Sequence, residues 1–157
     1  MKLLSVSDAL TRYRHTLPEH ARVYVAGCSG EPLAIAAAFK QDPALAAGIT
    51  FAGIWIPGVN ATDWAGLHPT ARAESIFVSP ALRPSFEAGR TRFRPLSYTQ
   101  STSWLAKTPL DGGIIMVSPP DENGMVSLGV SADFSTLILA RESVPLLGVI
   151  NQAMVAP

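Results

Sequence analysis

Two segments bring together residue types that could handle a small anionic ligand. In Gly27-Cys28-Ser29-Gly30-Glu31-Pro32, glycines directly after a β-branched run let the backbone come close to a ligand. N–H groups ahead of a helix then attract anions. The same turn would serve equally well as an ordinary tight strand-to-helix connection. In Val117-Ser118-Pro119-Pro120-Asp121-Glu122-Asn123-Gly124-Met125-Val126-Ser127-Leu128-Gly129-Val130-Ser131-Ala132-Asp133, a Pro-Pro-Asp turn and a tight Asn-Gly lead to Ser127 and further flexible positions. That pattern makes a rigid loop presenting hydroxyls and free N–H groups near sheet ends, where α/β folds bind ligands. Ile56-Pro57-Gly58-Val59-Asn60 is a third turn at the end of an apolar run.

Other chemistries lack their signatures. The first turn is not a G-x-G-x-x-G fingerprint, since the third glycine is missing, and no Gly-Lys-Ser/Thr makes it a phosphate loop. No serine stands in G-x-S-x-G, so a serine hydrolase is disfavoured. His15, His20 and His68 have no partner at metal-ligand spacing, and no metal is expected. Cys28 is the one cysteine; it excludes an internal disulfide, reads first as a small buried hydrophobe, and fits a reducing cytoplasm. None of the glutamates or aspartates sits in a nucleophile motif. Arg72, Arg83, Arg90, Arg92 and Arg94 form a loose basic cluster able to meet phosphates, although spacing alone reads first as a solvated face.

Short β-branched runs alternate with Ala-rich or amphipathic segments, which predicts an α/β domain: an open, mainly parallel sheet with helices on both faces. Strands are expected at Arg22 to Ala26, Ile49 to Ile54, Ser75 to Val78, Gly113 to Val117 and Pro145 to Ile150, with a short one at Arg92 to Arg94. Helices are expected over Asp8 to His15 capped by Ser7, Pro32 to Lys40, Leu82 to Ala88 stopping at Gly89, and near Ser101 to Ala106. A last helix, capped by Ser131 or Asp133, should run to Arg141. Met125 to Leu128 reads as a hairpin arm.

Composition bounds the rest. A chain of 157 residues fits one domain, 1–157, with 48% hydrophobic and only 15% charged residues. That balance excludes a disordered chain and implies that much of the surface meets other protein. Lys+Arg 12 against Asp+Glu 12 gives no electrostatic case for nucleic acid or an anionic membrane. Apolar stretches are too short to span a bilayer, and Asp8 and Arg12 come too early for a signal-peptide core. A strand ending at Ile150, close to Pro157, leads us to expect a piece of a larger protein.

The Val117–Asp133 segment closely resembles the family I CoA-transferases of the acetyl-CoA hydrolase/transferase type, including 4-hydroxybutyrate CoA-transferases. These carry V-S-P-P-D-x-x-G-x-x-S-L-G-x-S-x-D in their N-terminal halves. The Gly27-Cys28 to Glu31-Pro32 turn, Gly89-Arg90 with Arg94-Pro95, and Asn151 with Met154 match in the same order. The end departs from the family, with Met154-Val155 where Met-Pro is usual.

The resemblance implies two similar α/β domains with the site between them, in the sheet topology shared with sugar-phosphate isomerases. It implies acyl-CoA and small carboxylates as substrates, with coenzyme A as the group transferred. In that chemistry a second-domain glutamate attacks the thioester, giving an anhydride and then a glutamyl–CoA thioester. No residue of this chain matches that glutamate, so an inactive N-terminal, carboxylate-side domain is expected. Its substrate-binding residues would be Gly27, Cys28, Ser29, Gly30, Gly58, Asn60, Gly124, Ser127 and Gly129. Expected partners are the C-terminal domain of the same protein and a second copy of the chain. The domain-facing patch is placed around Trp55, Ile56, Met125, Val126 and Met154. The alternative is a non-catalytic binding remnant of the same fold. A sugar-phosphate isomerase is weaker, because its acid/base residues have no evident counterparts here.

Overall fold

A computed structural model describes residues 3–132 and 134–157. Six strands form one sheet: β1 (Arg22–Val25), β2 (Thr50–Gly53), β3 (Arg72–Ser75), β4 (Thr91–Phe93), β5 (Gly112–Val117) and β6 (Leu146–Ile150). Their order is β4-β3-β2-β1-β5-β6, and every adjacent pair is parallel. Five helices accompany them: α1 (Val6–Thr16), α2 (Leu33–Gln41), α3 (Arg83–Glu87), α4 (Tyr98–Lys107) and α5 (Ser135–Leu139). The expected open α/β sheet is therefore what the chain forms, parallel throughout.

A parallel sheet must be covered on both faces, and its inner strands accordingly send apolar side chains both ways. Val23, Val25, Phe51 and Ile114 pack with Leu10 and Tyr13 of α1 and Ile35 and Phe39 of α2. Tyr24, Ile54 and Ile115 pack instead with Leu105 of α4 and Phe134 and Ile138 at α5. Each large apolar side chain so buried contributes about 1.5–3 kcal/mol. An aromatic row deepens the first core: Phe39 meets Phe51 edge-on at 5.6 Å, Phe51 meets Trp64 at 5.5 Å, and Trp64 meets Trp55 at 6.3 Å. Trp55 is fully buried here. It belongs to this domain's own core and is removed from the expected exposed patch, whereas Met125 and Val126 are exposed.

Several boundaries differ from expectation for local reasons. Helix α1 starts two residues early, because Ser5 rather than Ser7 accepts the Asp8 N–H. Pro32 caps α2 from outside instead of occupying its first turn. Strand β3 lies at Arg72–Ser75, not Ser75–Val78. Glu74 pairs there with Arg22 and Arg94 while the apolar Ile76 leaves the ladder to fill the second core. Helix α4 begins earlier than Ser101, at Tyr98, since Ser97 and Gln100 form a reciprocal capping box. Met125–Leu128 forms no strand; the segment folds back through Asp121 N–H to Met125 C=O and Ser118 N–H to Ser127 C=O. Helix α5 has no side-chain cap at its first residue. Ser131 lies instead in a separate 3-10 turn, and the expected cap Asp133 lies outside the described residues.

Helix α1 is pinned to the sheet at one point. The Tyr13 hydroxyl donates to Gly113 C=O at 3.1 Å, with Pro145 C=O at 3.3 Å. A Cβ on Gly112 would stand 2.1 Å from that oxygen, so only glycine admits the phenol. Burial pushes the Tyr13 hydroxyl well above its ordinary pKa. Because the folded state holds this proton longer than the unfolded chain, its contribution is present below about pH 10 and declines above it, at about 1.4 kcal/mol per pH unit. Denaturant titrations from about pH 8 to pH 11 should show this decline. Tyr13→Phe should flatten it while losing about 1 kcal/mol at neutral pH.

Candidate functional site

The strand order reverses between β1 and β5: the chain builds outward from β1 to β4, then returns to add β5 and β6 on the other side. At such a reversal the loops leaving the carboxyl ends of neighbouring strands diverge and leave a crevice. The loops here are the Gly27–Pro32 turn after β1 and the Val117–Ser131 segment after β5.

The β1 turn is held to the end of β2 at closest approach. A Cβ at Gly27 would lie 1.9 Å from the Ile54 carbonyl oxygen, which makes glycine obligatory. A 3-10 turn, Cys28–Gly30, follows, with Cys28 in the left-handed region at φ 51°. Asn60, in the loop after β2, holds that conformation. Its Oδ1 accepts the N–H of Cys28 at 3.0 Å and of Ile56 at 2.7 Å. Its Nδ2 donates to Cys28 C=O at 2.9 Å and to Glu31 Oε2 at 3.2 Å. Glu31, also buried, accepts the N–H groups of Ala61 and Thr62. Two loops that are distant in sequence thus share one buried polar network with every carboxamide atom used.

The third loop closes on the first. Ser29 Oγ donates to Val130 C=O at 2.8 Å. Gly30 packs so close to Ser131 that a Cβ would meet its Cβ at 2.9 Å. Ser127 N–H donates to Ser118 Oγ, and Ser127 Oγ accepts from Gly129 N–H, both at 2.9 Å. Gly129 sits at φ 52° beside the Met154 methyl.

Beside these joined turns lies a cavity of about 160 Å³. It is lined by Cys28, Ile54, Ile56, Ile76, Phe77 and Leu96, with Tyr98 and Phe134 completing the wall. Tyr98 is largely exposed at the rim and packs on Phe134 at 5.0 Å. The chamber is apolar, with a thiol inside and a phenol at the edge. It suits a short hydrocarbon chain whose polar end stays outside.

Of the nine expected substrate contacts, the fold gathers Gly27, Cys28, Ser29, Gly30 and Asn60 around this cavity's β1 side. Only Cys28 lines it. The N–H groups of Cys28 and Gly30 are taken up internally, by Asn60 and by Gly27 C=O. Gly58 (φ 82°) and Gly124 (φ 79°) lie at exposed turn tips with no side-chain neighbour. Ser127 and Gly129 belong to the loop that buttresses the β1 turn through Val130 and Ser131. Sequence reasoning passed over Glu31, Phe77, Tyr98 and Phe134. Glu31 stood inside the quoted turn, and its place directly before the helix was the available signal. Among the described residues no cluster of three His, Cys, Asp or Glu side chains forms, and no helix is long and apolar enough to cross a membrane.

Comparison with known proteins places this geometry in context. The family model for the acetyl-CoA hydrolase/transferase N-terminal domain matches residues 4–154. The 4-hydroxybutyrate coenzyme A transferase of Clostridium kluyveri is 26% identical over 136 residues, covering 85% of this chain and 31% of that protein. RipA from Yersinia pestis superposes with a TM-score of 0.75 at 22% identity, over 96% of this chain and 36% of that one. The 4-hydroxybutyrate CoA-transferase of Porphyromonas gingivalis gives 0.63 at 17%, over 96% and 33%. The chain spans about a third of the length of each of these relatives.

The polar network predicts a sharp mutational response. Asn60→Ala leaves the Cys28 and Ile56 N–H groups and Glu31 short of partners and should lower stability by about 2–4 kcal/mol. Gly27→Ala should cost a similar amount, about 2–4 kcal/mol, by forcing β1 and β2 ends apart. Urea denaturation of both variants, compared with Gly58→Ser at an open turn, checks the ranking; Gly58→Ser should change stability by roughly 1 kcal/mol through its positive φ alone.

Proposed function

This chain belongs to the acetyl-CoA hydrolase/transferase N-terminal domain family, and we propose that it forms the acyl-side wall of a site that moves coenzyme A between small carboxylates. The observation carrying the reading is the apolar cavity on the carboxyl edge of the sheet, next to a turn fixed by Gly27 and Asn60. In this reading the acyl chain of an acyl-CoA occupies the chamber between Ile54, Ile76 and Phe134. Its carboxyl carbon stays at the mouth, near Ser29 and the Tyr98 phenol.

The covalent step belongs to a glutamate outside this chain. That carboxylate attacks the acyl carbonyl and expels the CoA thiolate, leaving a mixed anhydride. The thiolate then attacks the glutamyl carbonyl and releases the carboxylate, and an incoming carboxylate reverses the sequence with a new acyl group. Holding the acyl chain at one position converts these steps into effectively intramolecular reactions. The rest of the same protein would cover the apolar side of this domain. A groove of about 520 Å³ runs beside edge strand β6, between Leu3, Leu4 and Val126. Met125, Val126, Val130 and Val155 are all exposed. A single free thiol is compatible with the reducing cytoplasm we propose for such an enzyme.

The test pairs binding with turnover. Butyrate added to the chain should shift the methyl resonances of Ile54, Ile56 and Ile76 and leave Ile138, on the buried side of α5, unmoved. Ile56→Trp, which fills the cavity mouth, should abolish those shifts. The chain alone should show no acyl-CoA to carboxylate exchange. Exchange by the chain alone, or shifts spread across the whole domain, would overturn the assignment.

A further inference from the structure

A second groove lies at the opposite, amino edge of the sheet, on the side carrying α4 and α5. Residues Arg22, Thr50 and Arg72 stand in register on β1, β2 and β3, and Glu74 stands in register with Arg92 on β4. Alternation along parallel strands puts all five on one face. No helix covers that face at the outer strands; α4 borders it nearer the centre, where Trp104 lies against the Arg94 guanidinium at 5.3 Å and Lys107 shares a neighbouring recess with Arg22 and Glu74. The resulting groove has a volume of about 440 Å³ and is lined by four arginines, Arg22, Arg72, Arg90 and Arg92, against the single carboxylate of Glu74.

That carboxylate is already engaged. Glu74 Oε2 takes a two-point contact from Arg94, at 2.9 Å from both Nε and the terminal nitrogen, and Oε1 lies 3.5 Å from Arg22. Arg90 is turned away toward the carbonyls of Ala65 and His68. The cations that no carboxylate engages are Arg72 and Arg92, beside Arg22, which Glu74 holds only at 3.5 Å. Arg22 keeps its Nε buried with no hydrogen-bond partner among the described residues. Arg72 uses one guanidinium nitrogen on Pro69 and Ala71 carbonyls and keeps the others. No side chain among the described residues pairs with Arg92. A protein of zero net charge thus gathers more arginine than carboxylate in this one concave place.

We propose that this groove binds a diphosphate group through Arg22, Arg72 and Arg92, with the Thr50 hydroxyl between them. The spacing selects the ligand. Arg22 and Arg72 start two strands apart, about 10 Å at the backbone. One carboxylate takes one guanidinium fork, whereas a diphosphate offers two sets of oxygens and enough charge for three. Small Thr50 on β2 leaves the floor open for it. Occupation would also relieve repulsion among the three arginines.

Isothermal titration of the chain with inorganic pyrophosphate tests the site, at ionic strength held constant with sodium chloride. Saturable one-to-one binding is expected, with a rise in melting temperature. Arg72→Ala and Arg92→Ala, both exposed and outside the core, should each weaken binding about tenfold while leaving the unliganded melting temperature unchanged. Arg83→Ala, on α3 away from the groove, should leave affinity as it is. ADP in place of pyrophosphate identifies the source: tighter binding assigns the diphosphate to a nucleotide, equal binding to the free anion, and either supports the site. Absence of saturable binding would overturn the proposal, as would equal weakening by Arg83→Ala or indifference to Arg72→Ala and Arg92→Ala.

Discussion

The contact on which this structure turns is the Asn60 carboxamide. It reaches across from the loop after β2, takes the N–H of Cys28 and Ile56, and donates to Cys28 C=O and Glu31. A buried amide with four partners leaves nothing for solvent and little freedom for either loop. Cys28 is held at a positive φ because those bonds over-determine it, the usual condition under which a non-glycine residue keeps such a conformation. The Cys28–Gly30 turn then offers Ser29 and Gly30 as a docking face for the loop after β5.

From that anchor the two edges of the sheet acquire different characters. At the carboxyl edge, mostly apolar side chains from the loops that follow the strands enclose a small chamber. At the amino edge, Thr50 leaves the floor to arginine side chains, and the buried Glu74 pairs with Arg22 and Arg94. A parallel sheet aligns every strand, so all carboxyl ends share one edge and all amino ends the other. One domain can therefore keep an apolar and a cationic recess apart without a second layer of structure. The low charge content sharpens this separation, because few carboxylates are available to cancel arginines gathered in one place.

The apolar runs carried the fold plainly. Val23-Tyr24-Val25 and Gly113 to Val117 are short, β-branched and bounded by turns, and strands form there because both sheet faces require apolar cover. Strand β3 was misplaced by the same logic. Arg72 reads as part of a solvated basic face, and only neighbouring strands supply the charges that let Glu74 be buried. The Met125–Leu128 segment has the alternation of a hairpin arm, yet its hydrogen bonds close a loop around Asp121 and Ser118 rather than extend a ladder.

The sequence by itself determined the α/β class, the parallel sheet and the turns after β1 and β5, because apolar period and glycine placement are local properties. The motif from Val117 to Asp133 likewise carried the family. Tertiary structure alone decided that Asn60 locks Cys28, that Phe77, Tyr98 and Phe134 wall one chamber, and that Arg22 joins Arg72 and Arg92. Each of these groups residues from separate strands or loops. Strand order and register, which brought them together, are set by the packing of the whole sheet and not by any stretch of chain.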